Sequence, residues 1–138
     1  MVVFLLILNR IINDFSDYSE YKKIGITYHK ENDWIFEMNK DLAEMLITNL
    51  IKNAIIHNKP QGQLIIKLKS KYFTIENTSN IPALITNTLF KRFNKNSENK
   101  NSTGLGLAIV KAITDVSNLE ITYSYKNKHT FKVSEGKK

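Results

Sequence analysis

The chain has 138 residues, 42% of them hydrophobic, which is enough to bury the core of one globular domain. The absence of cysteine excludes a disulfide framework, a thiolate metal site and a thiol nucleophile, and it fits a reducing, cytoplasmic compartment. The net charge of +7 comes from 20 basic and 13 acidic residues spread along the chain, so we expect a solvated basic surface and no nucleic-acid partner.

The first segment, Met1 to about Asn13, is predicted to form a helix with apolar residues around most of its circumference. Such a helix must be buried, either against its own domain or against a partner. The opening apolar run ends at Asn9 and Arg10 and is too short to span a bilayer. We therefore expect no membrane contact by this chain.

Segments rich in β-branched and aromatic residues follow on both sides of a central helix. Three hairpins are predicted: Lys23–His29 with Trp34–Met38, Gln63–Lys69 with Tyr72–Glu76, and Leu119–Ser124 with His129–Val133. The order is helix, two strands, helix, two strands, loop, helix, two strands. This order predicts an α+β fold, a two-layer sandwich with helices on one face of a mostly antiparallel mixed sheet.

The central helix, Lys40 to Asn58, carries polar residues in an unexpected place. At about 100° per residue, Asn49, Asn53 and His57 fall inside its apolar arc and form a polar track. A buried amide or imidazole without partners costs about 1–3 kcal/mol, and local backbone or water satisfies most single cases. Three in register favour a polar ligand with Mg²⁺, which takes some ligands from protein oxygens and the rest from phosphates and water. Nucleotide binding is the first hypothesis.

A segment of ten residues without a hydrophobic side chain, Asn94–Thr103, predicts a mobile lid or binding loop. It runs into Gly104 and Gly106 at the start of a helix, where backbone N–H groups and the helix dipole favour an anion. The spacing is not that of a Walker loop, and a close helix-to-sheet contact explains a glycine pair equally well. Basic residues just before this segment and at its start are candidate phosphate contacts: Lys91, Arg92 and Lys95.

Three motifs together resemble the sensor histidine kinase catalytic domain, an ATP-binding domain of the Bergerat fold. NLIKNAIIHN (49–58) resembles its N box, LFKRF (89–93) its F box, and STGLGLAIVKAI (102–113) its second glycine box, in the family's order. The resemblance covers about Ile24 to the C-terminus. It implies a domain that binds ATP with Mg²⁺ and phosphorylates a histidine on a separate helical dimerisation and phosphoacceptor domain. A response regulator is then the partner of the full-length kinase.

The resemblance also implies a role for each matching residue. Asn53 would hold the Mg²⁺ that bridges the phosphates, Asn49 would lie beside the phosphates one turn earlier, and His57 would reach the ribose and phosphate region. The residues matching the lid anchors and the phosphate-facing turn are Phe90, Phe93, Thr103, Gly104, Leu105 and Gly106.

The first glycine box departs from the family's pattern. The family has D-x-G-x-G, whose Asp accepts a hydrogen bond from the adenine amino group, whereas this chain has IENTSNIP (75–82). Strand alternation puts Asn77 on the inward side, where its Oδ1 would accept from adenine, and Glu76 is the alternative. A neutral amide is a weaker acceptor than a carboxylate, so we expect nucleotide affinity to fall by about 1–2 kcal/mol.

The phosphoacceptor context of the family is also missing. His29, His57 and His129 are followed by Lys, Asn and Thr rather than by Glu or Asp, so autophosphorylation cannot be completed within this chain. Residues 1–20 resemble the end of the missing helical hairpin, and residues 21–138 are expected to form the ATP-binding domain. The parent protein is expected to be anchored in a membrane through other segments.

The sequence leaves two alternatives open. The missing glycines favour a degenerate, non-catalytic docking module with the same fold. The other alternative is a different ATPase of the same superfamily, of the topoisomerase, mismatch-repair or heat-shock chaperone type, in which Glu44 or Asp41 would have to supply the catalytic acid.

Overall fold

The computed structural model describes residues 1–80, 90 and 105–136. Their helices and strands are β1 (Val2–Val3), α1 (Phe4–Asp14), α2 (Ser16–Tyr21), β2 (Gly25–Lys30), β3 (Ile35–Phe36), α3 (Lys40–Ile56), β4 (Gln63–Lys69), β5 (Tyr72–Asn77), α4 (Gly106–Val116), β6 (Leu119–Tyr125) and β7 (His129–Glu135). Among these residues, no helix combines the length and the hydropathy needed to cross a bilayer.

Five strands form one mixed sheet in the order β2-β4-β5-β7-β6. β2 runs parallel to β4, and the other neighbouring strands are antiparallel. Alternate residues of β4 and β5 are buried, among them Leu64, Ile66, Phe73 and Ile75, and they share one core with the apolar faces of α1, α3 and α4. The predicted fold, helices on one face of a mostly antiparallel mixed sheet, is confirmed.

The hairpin predicted between residues 23–29 and 34–38 is wrong. β2 pairs with β4, while β3 pairs with β1 in a separate two-stranded sheet. The side chain of Trp34 accounts for the difference, because it is 2% exposed and stacks on Phe4 with ring centroids 4.4 Å apart. The backbone N–H of Phe4 also donates to the Trp34 carbonyl at 3.0 Å. This long-range packing holds β3 against the start of α1 and away from β2.

Helix α1 buries one side only. Phe4, Ile7, Leu8 and Ile11 are buried at the spacing of a single helical stripe, whereas Leu6 is 64% exposed. The buried side packs against α3 and the sheet, so α1 belongs to the core described above. The origin of residues 1–20 as the end of a preceding helical hairpin stays a prediction.

Helix α3 is the element that positions the polar track. Its start is capped by Asn39, whose Oδ1 accepts from the Leu42 N–H at 3.1 Å, and its last turn ends at His57, in the C-cap position. The predicted end at Asn58 is one residue beyond this cap. α3 lies between α1 and α4 on the sheet, so one of its edges faces the start of α4.

Candidate functional site

The three polar residues of α3 lie at the edge of its buried face. The residues that α3 buries fully are Ala43, Leu46, Ile47, Leu50, Ile51, Ala54 and Ile55. Asn49, Asn53 and His57 are half-buried instead, so each retains access from one side. The prediction that these three residues fall inside the apolar arc was therefore wrong. They lie at the edge of that arc, beside the fully buried residues. Their alignment along one edge remains.

Asn49 lies next to the start of α4. Its Nδ2 donates to the Met45 carbonyl at 2.8 Å, so local backbone satisfies the NH₂ group and the Oδ1 atom points away from that carbonyl. A Cβ atom placed on Gly106 would lie 3.5 Å from this Oδ1. The fold thus places the N-box residue Asn49 next to the glycine-box residue Gly106, although 57 positions separate them in the chain.

Among the residues that the structure describes, none caps the N-terminus of α4 with its side chain. Leu105 occupies the N-cap position without a side-chain hydrogen bond, and the first turn contains no acidic residue. The first N–H groups of a helix have no acceptor within it, and the helix dipole favours negative charge there. This end of α4 is therefore suited to an anion. The amide oxygen of Asn49 is itself a hydrogen-bond acceptor and would not attract an anion. A cation bound between this oxygen and the anion would interact favourably with each of them.

The donor set around α3 fits a metal that is only partly bound by protein. Among the residues that the structure describes, no group of three or more His, Asp or Glu side chains could hold a metal ion. Asn53, the predicted Mg²⁺ ligand, is half-buried one turn after Asn49 on the same edge. Mg²⁺ readily takes one or two protein oxygens and completes its octahedron with phosphate oxygens and water. An amide oxygen from Asn53 suits that pattern.

The end of β5 forms the other side of the site. Asn77 is 3% exposed and sits opposite Leu64 on β4 and His129 on β7. Its Nδ2 donates to the Thr78 carbonyl at 3.0 Å. Glu76, the alternative acceptor, is half-buried and lies on the other face of the sheet by strand alternation. Of the two candidates, Asn77 is the one that faces the helices.

A buried histidine stands beside this position and was not predicted from the sequence. His129 is 4% exposed, and its Nδ1 lies 2.7 Å from the Tyr123 hydroxyl in a hydrogen bond. Burial, and then the nearby imidazole of His129, hold the pKa of His57 below its ordinary value. The sequence did contain a pattern that predicts this burial. His129 alternates with Phe131 and Val133 along β7, so the three side chains are expected on the same, inward face of the sheet.

The aromatic residue Phe90 of the F box packs on the core. Its ring meets Phe131 edge-on with centroids 6.3 Å apart, and Phe131 in turn contacts Tyr123 at 5.1 Å. This row of rings connects the F box to the His129 side of the site. The remaining predicted residues of this region lie outside the described part of the chain: Lys91, Arg92, Phe93, Lys95, the lid 94–103, Thr103 and Gly104.

A two-layer α+β sandwich in which a polar helix edge faces the start of another helix suits a phosphate-containing ligand. Residues 38–136 match the family model described as Histidine kinase-, DNA gyrase B-, and HSP90-like ATPase. The chain belongs to this family.

Individual relatives agree with the resemblance to histidine kinases. The chain is 33% identical over 106 residues to heme sensor protein HssS of Staphylococcus haemolyticus, covering 72% of this chain and 23% of that protein. It is 33% identical over 133 residues to sensor histidine kinase HprS of Escherichia coli, covering 88% of this chain and 29% of that protein. The chain therefore spans less than a third of these relatives.

Solved structures share the fold. The nucleotide-free catalytic domain of histidine kinase ThkA superposes with a TM-score of 0.80 at 19% identity, covering 99% of this chain and 95% of that one. Histidine kinase AdeS of Acinetobacter baumannii gives a TM-score of 0.74 at 24% identity, covering 99% of this chain and 68% of that one. With the family match, these likenesses confirm the fold expected from the three motifs.

Proposed function

We propose that this chain is the catalytic domain of a sensor histidine kinase, which binds ATP with Mg²⁺ and presents the γ-phosphate to a histidine on a separate helical domain. The single observation that carries the proposal is the position of Asn49 Oδ1 beside Gly106 at the start of α4, 3.5 Å from where a Cβ atom of that residue would lie. It places the edge of α3 that carries Asn53, the proposed Mg²⁺ ligand, beside an anion-binding helix end, and a metal-bound triphosphate needs both.

Each part of the site has its own task in this proposal. Asn53 would hold Mg²⁺, which when bound neutralises phosphate charge, and the start of α4 would bind phosphate oxygens through backbone N–H groups. Asn77 would accept a hydrogen bond from the adenine amino group, and His57 would lie near the ribose. Phosphoryl transfer requires mainly positioning and charge neutralisation, so these residues supply most of the protein's share.

The partners follow from the same proposal. Histidine kinase ThkA, whose chain superposes on this one with a TM-score of 0.74, has been crystallised with response regulator protein TrrA. We infer that the parent kinase of this chain likewise acts on a response regulator, through a helical dimerisation and phosphoacceptor domain. A cytoplasmic location is part of the proposal, since the similar segment of histidine kinase QseC is cytoplasmic.

Calorimetry tests nucleotide binding directly. The chain is titrated with ADP in the presence and absence of Mg²⁺, and Asn53→Ala is expected to remove the Mg²⁺-dependent part of the affinity, because it removes the ligand oxygen. Asn13→Ala is the matched control, since it makes the same change at an exposed helix position remote from the site. If the wild-type chain binds no nucleotide at millimolar concentration, the proposal is wrong.

Phosphotransfer separates the kinase from the docking module. The altered first glycine box, with Asn77 for the carboxylate and no glycine, favours a non-catalytic relative. The chain is mixed with radiolabelled ATP and the helical domain of the parent kinase, and transfer of label to a histidine is expected. Nucleotide binding without transfer to that domain would support the docking module instead.

The structure gives little support to the third candidate, an ATPase that uses Glu44 or Asp41 as its acid. Glu44 Oε1 lies 3.0 Å from Arg10 Nη2 on α1. Five residues at 100° each place Glu44 about 140° around the α3 axis from Asn49, so its carboxylate faces α1 rather than α4. Asp41 is exposed in the first turn of the helix. ATP hydrolysis without a protein acceptor would favour this candidate.

A further inference from the structure

Four residues tie the end of α3 to the end of β5, and we call them the α3–β5 clamp: Asn58, Gly62, Gln63 and Thr78. Asn58 follows His57 at the end of the helix, and Thr78 follows Asn77 at the end of the strand. The clamp therefore includes the residue directly after Asn77, which is proposed to bind the adenine base, and the residue directly after His57, which is proposed to lie near the ribose. None of the three kinase motifs accounts for it as a unit.

The Thr78 hydroxyl is the centre of the clamp. It donates to Asn58 Oδ1 at 2.6 Å and accepts from the Gln63 backbone N–H at 2.8 Å, so both of its functions are used. The Gln63 carbonyl accepts from the Thr78 N–H at 3.1 Å and from Asn58 Nδ2 at 2.9 Å. Asn58 uses its donor and its acceptor at once, which an Asp or a Leu in its place could not do.

Gly62 makes the close approach possible. A Cβ atom at this position would lie 2.0 Å from Asn58 Oδ1 and 2.3 Å from Thr78 Oγ1, closer than any side-chain contact allows. Its N–H donates to the Lys59 carbonyl at 3.0 Å, which closes the turn between α3 and β4. Any side chain at position 62 would therefore clash with Asn58 and Thr78. The tight turn places the backbone of Gln63 within hydrogen-bond distance of Thr78.

We propose that the α3–β5 clamp positions Asn77 for selection of the adenine base, and this inference rests on the proposed function. Asn77 Nδ2 donates to the carbonyl of Thr78, the residue that the clamp fixes. With Nδ2 committed to that carbonyl, Oδ1 is the atom that Asn77 offers to a base. The clamp residues are positioning residues, because they act through Asn77.

Base selection follows from the chemistry of an amide. A carboxylate can only accept hydrogen bonds, so it favours the 6-amino group of adenine over the 6-oxo group of guanine. An amide offers an acceptor at one end and a donor at the other, and a rotated Asn77 would accommodate guanine. Holding Nδ2 on the Thr78 carbonyl gives the neutral Asn77 the preference that a carboxylate has by nature.

Calorimetry with three ligands tests the clamp: Mg²⁺ with ADP, with GDP, and with inorganic pyrophosphate. Thr78→Val keeps the shape of the side chain but removes the hydroxyl. ADP affinity is expected to fall about fivefold to tenfold, as for the loss of one or two hydrogen bonds, with a smaller loss for GDP and none for pyrophosphate. The preference for ADP over GDP therefore falls.

Two variants make the test specific. Thr78→Ser keeps the hydroxyl and is expected to restore the ADP preference. Thr74→Val makes the same change as Thr78→Val within β5, four residues earlier. Thr74 lies between Lys67 and Lys132 and outside the clamp, so this variant is expected to leave all three affinities unchanged. Thermal unfolding of each variant is measured in parallel.

The outcomes separate this inference from the proposed function. Equal losses for ADP, GDP and pyrophosphate in Thr78→Val would show that the clamp only supports the fold, and wild-type ADP preference in that variant would show that it has no role in base selection. Either result overturns the inference while nucleotide binding stands. Failure of the wild-type chain to bind ADP overturns both.

Discussion

Replacing Gly106, which lies beside Asn49, with alanine is predicted to raise the stability of the fold and to lower the affinity for nucleotide. In Gly106→Ala, the new Cβ would lie 3.5 Å from Asn49 Oδ1, an ordinary van der Waals distance, and the position does not have the positive φ that favours glycine. The substitution therefore fits the nucleotide-free fold. It fills the space at the start of α4 where a phosphate oxygen would have to approach the backbone.

The expected magnitudes follow from these two effects. Alanine is a better helix former than glycine by about 0.5–1 kcal/mol in a helix interior, and less at the first position, so the melting temperature should rise by about 1–2 °C. A methyl group forced against a bound phosphate costs about 1–3 kcal/mol, which is about a fivefold to 150-fold loss of affinity. Thermal unfolding measures the first quantity, and calorimetry with Mg²⁺ and ADP measures the second.

The reverse substitution in the same helix is the control. Ala112→Gly lies at an exposed position of α4 and should lower stability by about 1 kcal/mol without changing nucleotide affinity. Wild-type ADP affinity in Gly106→Ala would refute the reasoning, because it would mean that no phosphate approaches this end of α4. A large loss of stability would also refute it, since the 3.5 Å contact predicts none.

Two further predictions concern the folding of the site and the sheet. Burial and His129 hold the pKa of His57 below its ordinary value, so as the pH falls the unfolded chain binds a proton at this residue before the folded chain does. The contribution of His57 to the free energy of unfolding is therefore complete above about pH 6.5 and is lost as the pH falls below that value. Urea midpoints between pH 8 and 5 should fall more steeply in the wild type than in His57→Asn, and equal slopes would exclude His57 as the cause. Among the described residues, the Tyr28 hydroxyl is buried without a hydrogen-bond partner, and burial and Asp33 raise its pKa to about 12. Tyr28→Phe should therefore stabilise the fold by up to about 1 kcal/mol in urea unfolding, and a clear destabilisation would indicate a hydrogen bond to the hydroxyl.

Patterns within one element were predictable from the sequence. The period of α3, the turn at Pro60 and Gly62, and the alternation in β4 and β5 each depend on residues a few positions apart, and the structure confirms these elements. The same alternation predicted the inward position of Asn77. Local periodicity was sufficient there because one face of each element is buried in the core.

Pairing between distant segments was not predictable in the same way. Residues 23–38 show two β-like runs around a turn, which is the local signature of a hairpin. The stacking of Trp34 on Phe4, thirty positions earlier in the chain, decides the pairing instead. The clamp and the hydrogen bond between Tyr123 and His129 escaped prediction for the same reason, because each depends on side chains that meet only in the folded chain.

Two locally unfavourable features of α3 and α4 lie side by side, and a ligand between the helices would explain both. The N-cap residue of α4, Leu105, has no side-chain acceptor, whereas Asn39 caps the start of α3, and such a cap stabilises a helix by about 1 kcal/mol. The adjoining edge of α3 carries Asn49 and Asn53, which are weak helix formers, where apolar residues would pack. A cap at α4 would occupy the N–H groups that an anion needs, and leucines on α3 would remove the ligand oxygens for its metal. In the proposed function, both features serve one ligand, a triphosphate with its metal ion.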